Sequence, residues 1–139
     1  RLSLLIKTWQ DVIAELGSSN LVIGGKSMGG RIASLIVDAA RIKGLVCLGY
    51  PFHAPRKEPG PNRLEHLEGL ETPTLICQGT RDALGTRDEI AGYRLSANVQ
   101  LHWLEDGDHS FKPRKASGLT EDENRQNAIN AISVFIKGL

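Results

Sequence analysis

The chain has 139 residues, 40% of them hydrophobic and 24% charged, and a net charge of +1. This is the composition of one globular domain, and it supplies no global field to attract nucleic acid or an anionic membrane surface. No apolar run approaches the ~20 residues needed to span a bilayer, and Lys7, Gln10 and Asp11 interrupt the apolar start too early for a signal peptide.

Leu5, Trp9, Val12, Ile13 and Leu16 recur at helical spacing, which predicts a helix over 4–16 with one buried face, ended by Gly17-Ser18-Ser19-Asn20. Leu21-Val22-Ile23 opens a buried strand over 21–24. Residues 30–41 read as a helix with Ile32, Leu35, Ile36 and Ala39 on one side. A second strand is expected at 45–49. Four prolines, Pro51, Pro55, Pro59 and Pro61, mark an irregular loop over 51–66. A third strand covers 74–78, and Thr86 with Glu89 forms a capping box opening a helix at about 87–95. The fourth strand is 99–104. Thr120 and Glu123 form a second capping box, whose helix is expected to bury Ala128, Ile129, Ile132, Phe135 and Ile136. Short apolar strands alternating with amphipathic helices predict an α/β fold, a mostly parallel sheet covered on both faces. Ligands of such sheets bind at the carboxyl ends of the strands.

Gly25-Lys26-Ser27-Met28-Gly29 stands between the first strand and the helix after it and fits the pattern G-x-S-x-G. A serine hydroxyl is a weak nucleophile until it is held clear of the backbone beside a base. A sharp strand-to-helix turn does this and needs small flanking residues. It also leaves the Met28 N–H free to meet a developing oxyanion.

The third strand runs into Gly79-Thr80-Arg81-Asp82 and the fourth into Gly107-Asp108-His109-Ser110. Both segments leave the same sheet edge as Ser27, so Ser27, Asp82 and His109 are expected to converge. His109 would take the Ser27 proton, and Asp82 would fix its tautomer. Asp106 and Asp108 are rival acids, too near His109 in sequence to aim easily at its far nitrogen. His53 and His66 belong to the proline-rich loop or its flank, and His102 reads as a mid-strand surface residue. The four histidines show no metal-ligand spacing, and no metal or cofactor is expected. Cys47 and Cys77 lie in apolar strand-like runs and read as buried reduced thiols of a cytoplasmic protein, with a disulfide between neighbouring strands as the alternative.

Four stretches carry a family resemblance: Gly24-Gly25-Lys26-Ser27-Met28-Gly29-Gly30-Arg31, Cys47-Leu48-Gly49-Tyr50-Pro51-Phe52-His53, Gln78-Gly79-Thr80-Arg81-Asp82 and Asp106-Gly107-Asp108-His109-Ser110-Phe111-Lys112-Pro113. On these the chain resembles the alpha/beta-hydrolases, in the bacterial branch related to the KANSL3/Tex30 proteins. The chain order Ser, Asp, His is that of the superfamily. The resemblance implies Ser27 as nucleophile, Asp82 as acid and His109 as base. It leaves the substrate open, and some eukaryotic relatives serve as subunits of a chromatin-modifying complex. Ala83-Leu84 stands where a proline and an aromatic would be expected after the acid.

Alpha/beta-hydrolases place further strands, and a loop giving a second oxyanion donor, before the elbow. Only about 20 residues precede the motif here. Residues 1–139 are therefore expected to be the C-terminal portion of a single three-layer domain of roughly 200 residues, lacking its N-terminal strands. The alternative is a short chain whose edge strand at 21–24 is covered in a homodimer.

Lys26, Arg31, Arg81, Lys112, Arg114 and Lys115 flank the proposed site in sequence, which suggests a substrate with a carboxylate or phosphate near its acyl bond; ordinary solvated cations are the alternative. The loop 51–70 is the expected substrate wall. Lys26, Phe52, His53 and Arg81 are the expected substrate contacts, and the partner is a small acyl compound, not nucleic acid or membrane. The leading function is hydrolysis of a small ester, thioester or related acyl bond through an acyl-enzyme. The alternatives are a non-catalytic protein-binding subunit and an acyl transferase that excludes water.

Overall fold

The computed structural model describes residues 1–139. Its elements are α1 (Leu2–Leu16), β1 (Val22–Lys26), α2 (Met28–Ser34), β2 (Gly44–Leu48), β3 (Thr74–Gly79), α3 (Arg87–Ile90), β4 (Val99–Leu104) and α4 (Glu121–Lys137), with short 3₁₀ turns at Glu65–Glu68 and Lys115–Ser117. The four strands form one parallel sheet in the order β1-β2-β3-β4. Each strand-to-strand connection is therefore a crossover, and all four carboxyl ends lie on one edge. No helix is long and apolar enough to cross a membrane.

Successive side chains of a strand point to opposite faces, so a sheet this apolar must be covered twice. On one face Ile23, Leu45, Cys47 and Ile76 pack with Ala33, Ile36 and Val37 of the α2 region and Ile13 of α1. On the other, Leu75, Cys77 and Leu104 pack against Ala128 of α4, with Ile132 and Phe135 beside them. All six residues of β3 are buried, as befits a central strand. Cys47 and Cys77 are buried free thiols, and burial raises both, Cys77 to about 12.

All four helices differ from the sequence expectation. The helix expected over 30–41 starts at Met28 and ends at Ser34. Ser34 Oγ donates to Arg31 O at 2.6 Å, a back-bond that bends helices. The Leu35 and Ile36 N–H groups then bond three residues back, to Ile32 and Ala33. Asp38 turns its carboxylate to the N–H groups of Glu71 and Thr72, at 3.0 and 2.8 Å, and Ala39 is exposed. The helix expected at 87–95 is a single turn. Its capping box forms in both directions, but Gly92 and Tyr93 bond three residues back and tighten the chain out of the helix. In α4 the packing surface is narrower than expected: Ala128 is buried while Ile129 and Ile136 are 50% and 44% exposed. In α1 only Ile13 is buried, and Val12 and Leu16 face outward.

Candidate active site

Ser27 follows β1 directly, with φ 51° and ψ −119°. Such a backbone is costly for a residue with a Cβ and persists only where its surroundings enforce it. The Ser27 N–H donates to Leu48 O at 2.9 Å, which ties the turn to the end of β2. Met28 begins α2, so its N–H has no intrahelical acceptor.

Asp82 lies three residues past β3 and is fully buried. The Asp82 N–H donates to Gly79 O, the Gly85 N–H donates to Asp82 O, and Asp82 Oδ1 accepts from the Leu84 N–H at 2.8 Å. One carboxylate oxygen is thus held by its own loop, and the other is aimed away from it. His109 sits in the loop after β4. That loop is stitched to the acid loop, since Thr80 N–H donates to Leu104 O and Arg81 N–H to Gly107 O. His109 rests over the end of β2 at Gly49, whose φ is 66°; a Cβ there would lie 2.8 Å from His109 O. Only glycine serves both requirements.

The three side chains meet. His109 Nδ1 lies 2.8 Å from Asp82 Oδ2, and His109 Nε2 lies 2.9 Å from Ser27 Oγ. An ionised carboxylate only accepts, so Nδ1 carries the hydrogen and Nε2 presents its lone pair to the serine hydroxyl. The rival acids are engaged elsewhere. Asp106 holds Arg114 by a two-pronged contact, with Nη2 at 2.5 Å and Nε at 3.1 Å from Oδ1, and Arg114 keeps its carboxyl depressed to about 2. Asp108 Oδ1 accepts from the N–H groups of Ser110 and Lys112, at 2.8 and 3.0 Å.

Ser27 and Met28 open on a cavity of about 220 Å³ shared with Arg31, His53, Arg63 and Leu84. His53 is 6% exposed; its Nδ1 is 2.8 Å from Ala54 O and its Nε2 is 2.7 Å from Glu89 Oε2. Both partners are oxygen acceptors, a backbone carbonyl and a carboxylate. Arg31 Nη1 donates to Asn62 O at 3.2 Å, and Arg63 Nη1 donates to Pro51 O at 2.9 Å. The Arg31 pKa is lowered by burial first and by the neighbouring Arg63 charge second.

The remaining expected contacts lie elsewhere. Phe52 is fully buried and packs on Tyr50 and Tyr93, with ring centroids 4.7 and 5.6 Å away. It is a core residue, because the chain after β2 turns inward at this aromatic. Arg81 is drawn away from the cavity: its Nε donates to Asp106 O at 2.9 Å and its Nη2 reaches Lys112 O. Lys26 lines a separate cavity beyond His109 and donates to Ser110 Oγ at 3.3 Å. Arg63 is the cavity cation that sequence reasoning missed, although it lies in the loop expected to form the wall. Of the other histidines, His66 Nε2 donates to Ser34 Oγ at 2.7 Å, burial lowers its pKa, and His102 is hydrogen-bonded to Asn127. No group of three His, Cys, Asp or Glu residues is arranged to hold a metal ion. A separate apolar cavity of about 270 Å³ lies between α1 and α2, lined by Leu5, Trp9, Val12, Met28 and Ile32.

A parallel sheet with a serine at its first strand-to-helix elbow, an acid after the next-to-last strand and a histidine after the last is the layout of the alpha/beta-hydrolase superfamily. The family model for the alpha/beta hydrolase domain matches residues 1–137, and the chain belongs to that family. Its fold is similar to that of an alpha-beta serine hydrolase homologue from Coxiella burnetii, with a TM-score of 0.64 and 14% identity over 97% of this chain and 56% of that one. It is also similar to a monoacylglycerol lipase from Paleococcus ferrophilus, with a TM-score of 0.67 and 13% identity over 98% of this chain and 75% of that one. A third similar structure is TT1662 from Thermus thermophilus, at 0.52 and 17%, covering 94% of this chain and 60% of that one. At these identities the likeness is one of fold, and the chain spans little more than half the length of the Coxiella protein. No curated protein matches the sequence.

Proposed function

We propose that this chain carries the catalytic residues of a serine hydrolase that cleaves a small ester, thioester or related acyl bond. The observation that carries the reading is the unbroken hydrogen-bond chain from Asp82 through His109 to Ser27, ending on a serine with a strained backbone. Ser27 Oγ attacks the acyl carbon while His109 Nε2 takes its proton, and buried Asp82 stabilises the imidazolium that forms. The tetrahedral oxyanion accepts from the Met28 N–H. The bond to the leaving group then breaks as Nε2 returns the proton to the departing oxygen or sulfur, leaving Ser27 acylated. Water repeats the two steps and frees the acid and the serine.

The same reading takes residues 1–139 as the C-terminal portion of one domain, with the second oxyanion donor supplied from outside them. It places the protein in the cytoplasm and in the branch related to the KANSL3/Tex30 proteins, on the four sequence stretches quoted above. Labelling of the full-length protein with a fluorophosphonate tests it. Labelling that disappears in Ser27→Ala supports the hydrolase. A folded wild-type protein that resists labelling and hydrolyses no short acyl ester would leave a protein-binding scaffold in its place.

A further inference from the structure

The six cations that flank the site in sequence are not equivalent in space. Arg81 and Arg114 are held by Asp106, and Lys26 faces another cavity. Arg31 alone of the six lines the cavity that holds Ser27, and it is joined there by Arg63 from the proline-rich loop. Neither of these two forms an ion pair with any carboxylate of the chain. Each is anchored by one N–H to a backbone carbonyl, Arg31 to Asn62 O and Arg63 to Pro51 O. A guanidinium has five N–H donors, so most of each fork stays free.

The anchors preorganise the pair. The Tyr50 hydroxyl donates to Arg63 O at 2.6 Å, and Arg31 holds the adjacent carbonyl of Asn62. Two half-buried guanidiniums in one small cavity repel each other, and the Arg31 pKa is lowered in part by Arg63. No carboxylate lines the cavity, and Glu89, beside its histidine, is bonded to His53, so the repulsion is not relieved. Such an arrangement is favourable only toward an anion, and paired guanidinium forks suit planar or tetrahedral oxyanions.

We propose that this cavity recognises an oxyanion on the substrate, a carboxylate or phosphate group a few bonds from the acyl carbon, gripped by Arg31 and Arg63. The proposal deepens the hydrolase reading and rests on it for the position of the acyl carbon at Ser27. The cavity, about 220 Å³, is smaller than the ~300–1,000 Å³ of typical drug-sized pockets. Its size suits a short acyl compound with a charged end.

The test is binding without turnover. The full-length Ser27→Ala protein is titrated by NMR with succinate, with inorganic phosphate and with neutral dimethyl succinate. One or both anions bind, the neutral diester does not, and affinity falls as salt rises from about 0.01 to 0.3 M. Whichever anion binds more tightly identifies the group. Adding Arg31→Gln or Arg63→Gln weakens the anion by about tenfold or more, the loss of a charge-assisted contact. Arg31→Lys and Arg63→Lys, which keep the charge, recover part of it and guard against a loosened loop. Equal binding of anion and neutral diester, or anion affinity unchanged in both glutamine variants with an unaltered melting temperature, overturns the proposal. Fluorophosphonate labelling of the wild type separates the two claims. Anion binding without labelling removes the hydrolase and leaves the anion site, whereas labelling without anion binding does the reverse.

Discussion

Gly25 and Gly30 occupy the two arms of the elbow in mutual contact: a Cβ built on Gly25 would lie 2.5 Å from Gly30 N, and one on Gly30 would lie 2.7 Å from Gly25 O. The obstacle in each case is backbone, which cannot swing aside. Gly29, the second glycine of the G-x-S-x-G pattern, has nothing within 4 Å of its Cβ position. The motif therefore names one of the two glycines the turn needs, and the other is the residue after it. Gly25→Ala and Gly30→Ala should each destabilise the protein by about 1–3 kcal/mol, the cost of overpacking. Gly29→Ala should lie within about 0.5 kcal/mol of the parent. Urea unfolding midpoints check this, and a Gly29→Ala loss as large as that of Gly30→Ala would refute it.

The backbone of Ser27 makes a second prediction. Glycine relieves strain worth ~1–3 kcal/mol at φ 51° and costs ~0.5–1 kcal/mol in chain entropy. Ser27→Gly should therefore be inactive and more stable by about 1 kcal/mol. Ser27→Ala, equally inactive, keeps the strain and gains nothing. Matching unfolding midpoints for the two variants would show that the strain is not stored at this residue.

The parts of the fold legible in the sequence are those fixed by local pattern. β4 spans the residues expected, and the other strands shift by one or two, because short apolar runs between turn signals have few ways to pack. The convergence of Ser27, Asp82 and His109 is legible because each follows a strand of one parallel sheet. Helix lengths are not legible. α2 ends where Ser34 bonds His66 and Asp38 bonds Glu71 and Thr72, and the Tyr93 ring just past α3 packs on Phe52; these partners lie far away in sequence, and propensity carries no trace of them. The cavity wall is legible as a loop but not residue by residue. Phe52 and His53 are neighbours, yet one fills the core and the other faces Ser27, and only the packing of Tyr50 and Tyr93 decides which.

Asp82→Asn tests the tautomer argument. Leu84 N–H donates to Oδ1, so the amide oxygen takes that place and the amide nitrogen faces His109 Nδ1. The ring must then accept at Nδ1 and carry hydrogen on Nε2, which cannot take the Ser27 proton. Turnover of a chromogenic ester should fall by about four orders of magnitude. Far-UV circular dichroism should be unchanged. A loss under tenfold would mean that Asp82 does not set the state of the ring.

Asp106 joins the acid loop to the histidine loop. Its N–H donates to Thr80 Oγ1 at 2.9 Å, its carbonyl accepts from Arg81, and its carboxylate holds Arg114. The folded carboxyl, at about 2, lies below the ~3.9 of an unfolded aspartate. The folded state thus releases the proton more readily, and the stabilisation is complete above about pH 4 and lost as pH falls toward 2. Asp106→Asn keeps the side-chain shape and tolerates the positive φ of 57°; it removes the charge and replaces one of the two oxygens that accept from Arg114 by an NH2 donor. The wild type should melt above the variant at pH 5, and the gap should close as pH is lowered to 2. Arg114→Gln should lower the melting temperature by a similar amount, and the double variant should lose little more, because both changes break one contact. Arg114 is 65% exposed, so added salt should narrow the gap as well. A gap that stays constant down to pH 2 would mean that the loops are joined by the backbone contacts of Asp106 and not by its charge.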